Sequence, residues 1–195
     1  MNYPLDLSFK LMALANQISV TDAQGNLIFY VRQKMFKLKE AVTVFADREQ
    51  ARPLYKINAD RVIDFSARYS ITDVSGTTLG SVRRQGMKSL WKARYDIFDG
   101  ADTATLTISE EKPWVKVVDA LVGEVPIVGM FTGFVFNPSY VVKSPDENIV
   151  MRFKKQPAMF ESKFKLESLI PLSAEDEPRV VLSVLMMVLL ERRRG

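Results

Sequence analysis

The sequence contains no cysteine and no histidine. Without thiols there are no disulfides, thiolate metal sites, cysteine nucleophiles or palmitoylation sites. Without imidazole the commonest general base, metal ligand and serine-triad partner is missing. Both absences point away from catalysis and from a held transition metal, so neither enzyme activity nor a cofactor is expected. The start of the chain also lacks a long uncharged apolar run. Asp6 and Lys10 interrupt the first apolar stretch, which then continues only from Leu11 to Ala15. A secretory signal needs a positive start and a longer uncharged core, so a cytoplasmic location is expected. Charge of one sign is scarce too: 27 Lys+Arg against 23 Asp+Glu leave a net +4, which permits an anionic partner without demanding one.

A membrane-spanning run is equally absent. The longest apolar stretch, Val180 to Leu190, holds eleven residues including Ser183. As a helix it would reach about 16 Å at ~1.5 Å per residue, against a hydrocarbon core of ~30 Å. The other apolar region, Val115 to Phe136, contains Lys116, Asp119 and Glu124 and is broken by Gly123, Pro126, Gly129 and Gly133. No transmembrane segment is expected from either.

Period-two alternation fills most of the chain. Ile18 and Val20 alternate with Ser19 and Thr21, and Ala104, Leu106 and Ile108 with Thr105, Thr107 and Ser109. Met151 and Phe153 oppose Arg152 and Lys154, and Phe164 and Leu166 sit among Lys163, Lys165 and Glu167. Such alternation marks strands with one buried and one wet face. Further strands are expected at 27–33, 41–46, 52–58, 67–73, 77–83, 93–98, 131–136 and 139–144, about a dozen in all, at the spacing of a barrel or sandwich. Asp22-Ala-Gln-Gly25-Asn26, Asp73-Val-Ser-Gly76 and Asp99-Gly-Ala-Asp102 follow strands as acidic turn openers. Aspartate starts such turns by accepting hydrogen bonds from its own backbone. Ser19-Val-Thr-Asp22-x-x-Gly25 and Ser70-Ile-Thr-Asp73-x-x-Gly76 read as one hairpin used twice.

Two helices are expected. One runs from Pro113 to Leu121, with Trp114, Val117, Val118 and Leu121 on one stripe and Gly123 just beyond. The other runs from Pro178 to about Arg192, with Glu175, Asp176 and Glu177 at its start and Arg192, Arg193 and Arg194 at its end, both correct for the helix dipole. Its run Val180 to Leu190 is apolar all round apart from Ser183, and helices of that kind are buried on every side. A helix is ~10 Å thick with its side chains, so in a chain of half-buried strands the sheet is expected to close around it. The alternatives are an edge helix packed on a sheet and an oligomer contact.

The order of these parts, strands first and one wholly hydrophobic terminal helix last, resembles the tubby-like superfamily, in its LURP-one-related and phospholipid scramblase branch. The stretch from Asp22 through Arg32 to Phe36 is similar to that family's opening hairpin. Ser70 to Gly76 through Arg83-Arg84, then Lys88 to Trp91 and Tyr95 to Ile97, are similar to its middle, and Phe164, Pro171, Glu175 to Glu177 and Val180 to Glu191 to its closing strand and core helix. The resemblance covers nearly the whole chain from about residue 9. It implies a twelve-stranded barrel around the helix and an activity of binding, with phosphoinositides as the ligands of tubby-like relatives. The proline-rich arm and cysteine cluster of scramblases are absent, and the last helix is too short to span a bilayer, so lipid scrambling is not expected.

Basic residues supply the candidate site. Arg83, Arg84, Lys88, Lys92 and Arg94 form a run of five cations with no acid between them, interleaved with Met87, Leu90 and Trp91. Cations neutralise phosphates, and an exposed Trp can enter a headgroup boundary. The alternative is a solvated loop whose Trp91 faces the core. A second group, Arg32, Lys34, Lys37 and Lys39, surrounds Met35 and Phe36. Arg152, Lys154, Lys163 and Lys165 share a strand face with Glu161 and Glu167, as an ordinary wet face does. Asp146-Glu147 and Glu110-Glu111 are adjacent carboxylates, whose side chains point apart where they lie on strands. No glycine-rich phosphate loop, metal-ligand spacing or nucleic-acid motif is present, and nucleic acid is not an expected partner.

The expected protein is thus mainly β, a tubby-like closed antiparallel barrel of about twelve strands around a buried C-terminal hydrophobic helix, as one domain over 1–195. Its expected function is a non-enzymatic binding module, cytoplasmic and peripheral to the membrane, docking on anionic phospholipid or phosphoinositide surfaces through Arg83, Arg84, Lys88, Trp91, Lys92 and Arg94. The alternative is a protein-interaction scaffold with a protein partner and no lipid role.

Overall fold

The computed structural model describes residues 1–12, 15–34, 41–60, 67–85, 94–111, 139–157 and 161–192. Twelve strands pair antiparallel in sequence order, and the first closes on the last. They are β1 (Leu5–Met12), β2 (Ala15–Thr21), β3 (Leu27–Lys34), β4 (Val42–Phe45), β5 (Pro53–Ala59) and β6 (Arg68–Asp73), then β7 (Thr78–Arg84), β8 (Arg94–Asp99), β9 (Ala104–Glu110), β10 (Ser139–Lys143), β11 (Ile149–Gln156) and β12 (Ser162–Ser168). The helix α1 (Asp176–Arg192) follows β12. The expected closed barrel and terminal helix are both present. The expected strand 131–136 and the helix Pro113 to Leu121 lie outside the described residues.

The N-terminal strand β1 departs from the sequence reading. Leu5, Leu7 and Phe9 point inward and Asp6, Ser8 and Lys10 outward. In register Leu5 faces Leu166, and Leu7 faces both Phe164 and Val20, so this strand seals the barrel. Beside the seam Phe153 stacks on Phe164 with centroids 4.7 Å apart, and Phe9 meets Phe164 edge to face at 5.4 Å.

Buried residues from all twelve strands share one hydrophobic core with α1, which runs closest to β7 and β8. Every residue from Val180 to Leu189 is buried. Closing the sheet leaves room for one helix and removes every strand edge. Ser183, the polar residue in that run, donates its hydroxyl to the Arg179 carbonyl at 2.8 Å and so needs no partner outside the helix. Pro178 sits in the first turn, where its missing N–H costs nothing. The Ser173 hydroxyl caps that turn, accepting from the Asp176 amide at 3.0 Å.

Alternating strand direction sorts the connections into two ends. One end holds the hairpin turns β2–β3, β4–β5, β6–β7, β8–β9 and β10–β11 together with the start of α1. Four of these turns share one backbone form. Asp22, Asp73, Asp99 and Ser144 each donate their amide to the carbonyl four residues on, and each accepts from the amide three on at 2.9–3.2 Å. That third residue has positive φ: Gly25, Gly76, Asp102 and Glu147. The resemblance of the first two hairpins is therefore physical, and the Ser144 turn repeats it with serine in the aspartate's place and Glu147 in the glycine's.

These turn carboxylates make stability depend on pH. Asp22 is held below its ordinary value first by the Asn26 side chain, Asp73 first by the Ser75 hydroxyl, and Asp47 first by the Ala51 amide. Glu161 is lowered first by the Ser8 hydroxyl. A depressed folded pKa means that the ionised form is favoured by folding. Its contribution is present above the unfolded carboxylate value of about 4 and is lost as pH falls through the lower folded value. With no histidine or cysteine to titrate, the melting temperature is expected to be flat between about pH 6 and 8 and to fall below about pH 4. A step in a melting series near pH 6.5 would contradict this.

Candidate functional site

β7 and β8 lie side by side with Arg83 opposite Asp96 and Arg84 opposite Tyr95. Because successive strand residues face opposite ways, Arg83 and Arg84 part company. Arg83 is exposed on the outer wall, its guanidinium 5.2 Å from the Phe98 ring centre. Arg94, the first residue of β8, is exposed as well, and its carbonyl accepts the Gln85 amide at 2.8 Å. Lys88, Trp91 and Lys92 belong to the β7–β8 connection and lie outside the described residues, as do Met35, Phe36, Lys37 and Lys39 of the second group.

Arg84 corrects the sequence reading. It follows the inward parity of Val82 and is only 8% exposed. Its Nε lies 3.4 Å from Glu191 Oε1, and its guanidinium sits 6.0 Å from the Tyr95 ring centre. The Tyr95 hydroxyl donates to the same Glu191 oxygen at 2.5 Å. Burial, and then the Glu191 carboxylate, push the Tyr95 hydroxyl well above the ordinary tyrosine range, so it remains a donor. A guanidinium committed to the core in this way cannot reach a lipid surface.

The structure adds Arg68, which sequence reasoning missed. It sits opposite Arg83 in register, 3.9 Å from the centre of the Phe98 ring and paired with Asp102. Two guanidinium groups on one ring keep Phe98 covered on an outer wall. Fifteen residues separate Arg68 from Arg83 in the chain, so strand register alone brings them together. Asp96 also joins this face and accepts from the Gln85 side chain at 2.8 Å. The surface is therefore less purely basic than the run 83–94 suggests.

The β11–β12 hairpin is the wet face expected of it. Arg152 pairs with Glu111 at 2.8 Å, Lys163 with Glu161 at 2.9 Å and Lys154 with Glu167 at 3.6 Å. Among the described residues no group of three or more metal-ligating side chains converges, and no helix is long and apolar enough to cross a membrane.

Charge separates along the barrel axis. The turn-end segments 22–26, 46–52, 73–77, 99–103, 144–148 and 169–179 hold eleven carboxylates and three arginines. The rest of the described residues hold eight acids against fifteen bases. An open cleft of about 910 Å³ where α1 enters the barrel is lined by Asp73, Asp99, Glu175 and Asp176, a poor host for an anion.

A family model described as LURP-one-related matches residues 27–167. The chain belongs to the LURP-one-related family. The match spans β3 to β12 without β1, β2 or α1, which nevertheless complete the LURP-one-related barrel here. Among solved structures, the chain is similar to a protein from Arabidopsis thaliana determined by X-ray crystallography. The two are 16% identical, with 98% of this chain and 92% of that chain covered and a TM-score of 0.51, which shows a shared fold. No curated protein matches the sequence.

Proposed function

We propose that this LURP-one-related barrel is a non-enzymatic binding module that docks on anionic phospholipid surfaces through the end from which the C-terminus of α1 emerges. The carrying observation is the charge split along the axis. A carboxylate-rich turn end is repelled by an anionic surface, and the excess of bases on the remainder is attracted, which orients the molecule before contact. Arg83 and Arg94 are the described cations of the site that remain exposed, and Lys88, Trp91 and Lys92 are proposed to act with them. Arg84 is withdrawn from the site.

The test is co-sedimentation with vesicles of graded phosphatidylserine content. Each cation near an anionic surface contributes about 1 kcal/mol, so a variant with Arg83→Gln and Arg94→Gln is expected to lose about 2 kcal/mol, roughly thirty-fold in partitioning. Binding is expected to weaken as the screening length falls from ~10 Å at 0.1 M salt to ~3 Å at 1 M. The same assay on K88E/K92E tests the two lysines. Partitioning unaffected by lipid charge, salt and all four substitutions would refute lipid docking and favour the protein-scaffold reading.

A further inference from the structure

A helix that is apolar all round, inside an apolar tube, has no obvious reason to stop at one axial position. Hydrophobic burial is non-directional, so sliding α1 by one residue, with a turn of about 100°, exchanges one set of buried aliphatic side chains for another. From Val180 to Leu189 every side chain is buried, and the Ser183 hydroxyl is satisfied within the helix. Polar contacts to the wall occur at the two ends of this run. At the start, Arg179 Nη1 donates to the Leu79 carbonyl at 3.2 Å and Nη2 pairs with Asp176. At the finish, Glu191 accepts from the Tyr95 hydroxyl at 2.5 Å and lies 3.4 Å from Arg84 Nε.

The two anchors are matched in length. Arg179 and Glu191 are twelve residues apart on the helix, about 18 Å at ~1.5 Å per residue. Leu79 and Arg84 are five apart on β7, about 17 Å at ~3.3 Å per residue. The helix runs closest to β7 and β8, the strands that carry Leu79, Arg84 and Tyr95. A carboxylate in the last turn of a helix also opposes the helix dipole, so Glu191 sits where the helix alone would disfavour it.

We propose that Glu191, Tyr95 and Arg84 form a register latch that, with Arg179 at the other end, fixes the axial position of α1 against β7. The latch specifies which residues fill the barrel more than it adds stability. Buried ion pairs act in this way where their replacement by apolar groups leaves the fold intact but its alignment undefined. Because Arg83 directly precedes Arg84 on β7 and faces the opposite way, the latch also ties the register of the core to the wall that carries Arg83.

The methyl groups of Met186 and Met187, both buried mid-helix, report register directly. In wild type each is expected to give one methyl resonance in an NMR spectrum of methyl-labelled protein. A variant with Arg84→Met and Glu191→Met keeps the volume apolar and is expected to melt within a few degrees of wild type. It is nevertheless expected to show displaced or doubled Met186 and Met187 signals, with a second state near about 10%. Glu191→Ala, at a partly exposed position, provides a second folded test and is expected to show the same displacement. A purely stabilising ion pair would lower the melting temperature and leave both methyl resonances where they were. Wild-type methyl shifts in both variants would overturn the latch.

Discussion

Replacing Leu185 with Asp is expected to leave no soluble, cooperatively folded protein. Leu185 lies at the middle of α1 and is 0% exposed. Its neighbours along the helix, Val181, Leu182, Val188 and Leu189, are buried as well, and the wall around them is built from Val, Ile, Leu, Phe and Met side chains. No described cation reaches this level of the core: Arg179 is bound at one end of the helix and Arg84 at the other. A carboxylate placed there would be both desolvated and unpaired, a penalty of several kcal/mol against a total stability of ~5–15 kcal/mol. Because α1 shares one core with buried residues of all twelve strands, its loss opens the centre of the barrel. The soluble fraction after expression, near-ultraviolet dichroism and a thermal melt read the outcome. Leu185→Met, a swap that conserves volume, is expected to cost under about 1.5 kcal/mol and serves as control. A Leu185→Asp protein melting within a few degrees of wild type would remove the helix from the core of the fold.

What the sequence discloses and what it hides follow the same physical line. Alternation and turn chemistry are local, so the strands from β2 onward and the turns at Asp22, Asp73 and Asp99 are legible residue by residue. The all-apolar circumference of Val180 to Leu190 implies burial, and burial in a chain of strands implies closure. Leu5, Leu7 and Phe9 alternate with Asp6, Ser8 and Lys10 as clearly as any later strand. The signal is local and complete there, although Asp6 and Lys10 read equally well as interruptions of an apolar stretch.

The site fared less well because it depends on parity and partners. Val82 and Arg84 share a face by the rule of two, so the inward direction of Arg84 was implicit in the strand reading, although a run of basic residues draws attention to charge and not to parity. Its partner Glu191 lies 107 residues away, and the acid's unfavourable place at a helix C-terminus was the one local hint. Arg68 beside Arg83, and Asp96 within the basic face, are products of register between strands and have no signature in either strand alone.

Gly80 has none either, and its replacement by Ala is the second large expected effect. In the sequence it reads as an ordinary strand position between Leu79 and Ser81. In the fold its φ is +146°, and a Cβ there would stand 2.1 Å from the Phe98 carbonyl oxygen and 2.6 Å from Cδ of Arg179. The Arg179 side chain has methylenes that can shift, but the Phe98 oxygen belongs to the backbone of β8, which is paired to β7 at this level through Gly80 and Asp99. Relief therefore requires the two strands to separate or β7 to change its backbone angles. Backbone strain of about 1–3 kcal/mol and overpacking of about 1–3 kcal/mol both apply, so a loss of roughly 3 kcal/mol or more is expected, on the order of 10 °C in melting temperature for a chain of this size. Gly25→Ala separates the two causes. Gly25 also has positive φ, +82°, but nothing lies within 4 Å of its would-be Cβ, so it carries the conformational penalty alone, about 1–2 kcal/mol. If Gly80→Ala melted no lower than Gly25→Ala, the close approach of β8 and Arg179 to β7 would not be what holds this position to glycine. If it melts well below, the absence of a side chain at Gly80 is what lets Arg179 lie across β7 and reach the Leu79 carbonyl, and so seats the start of the helix in the barrel.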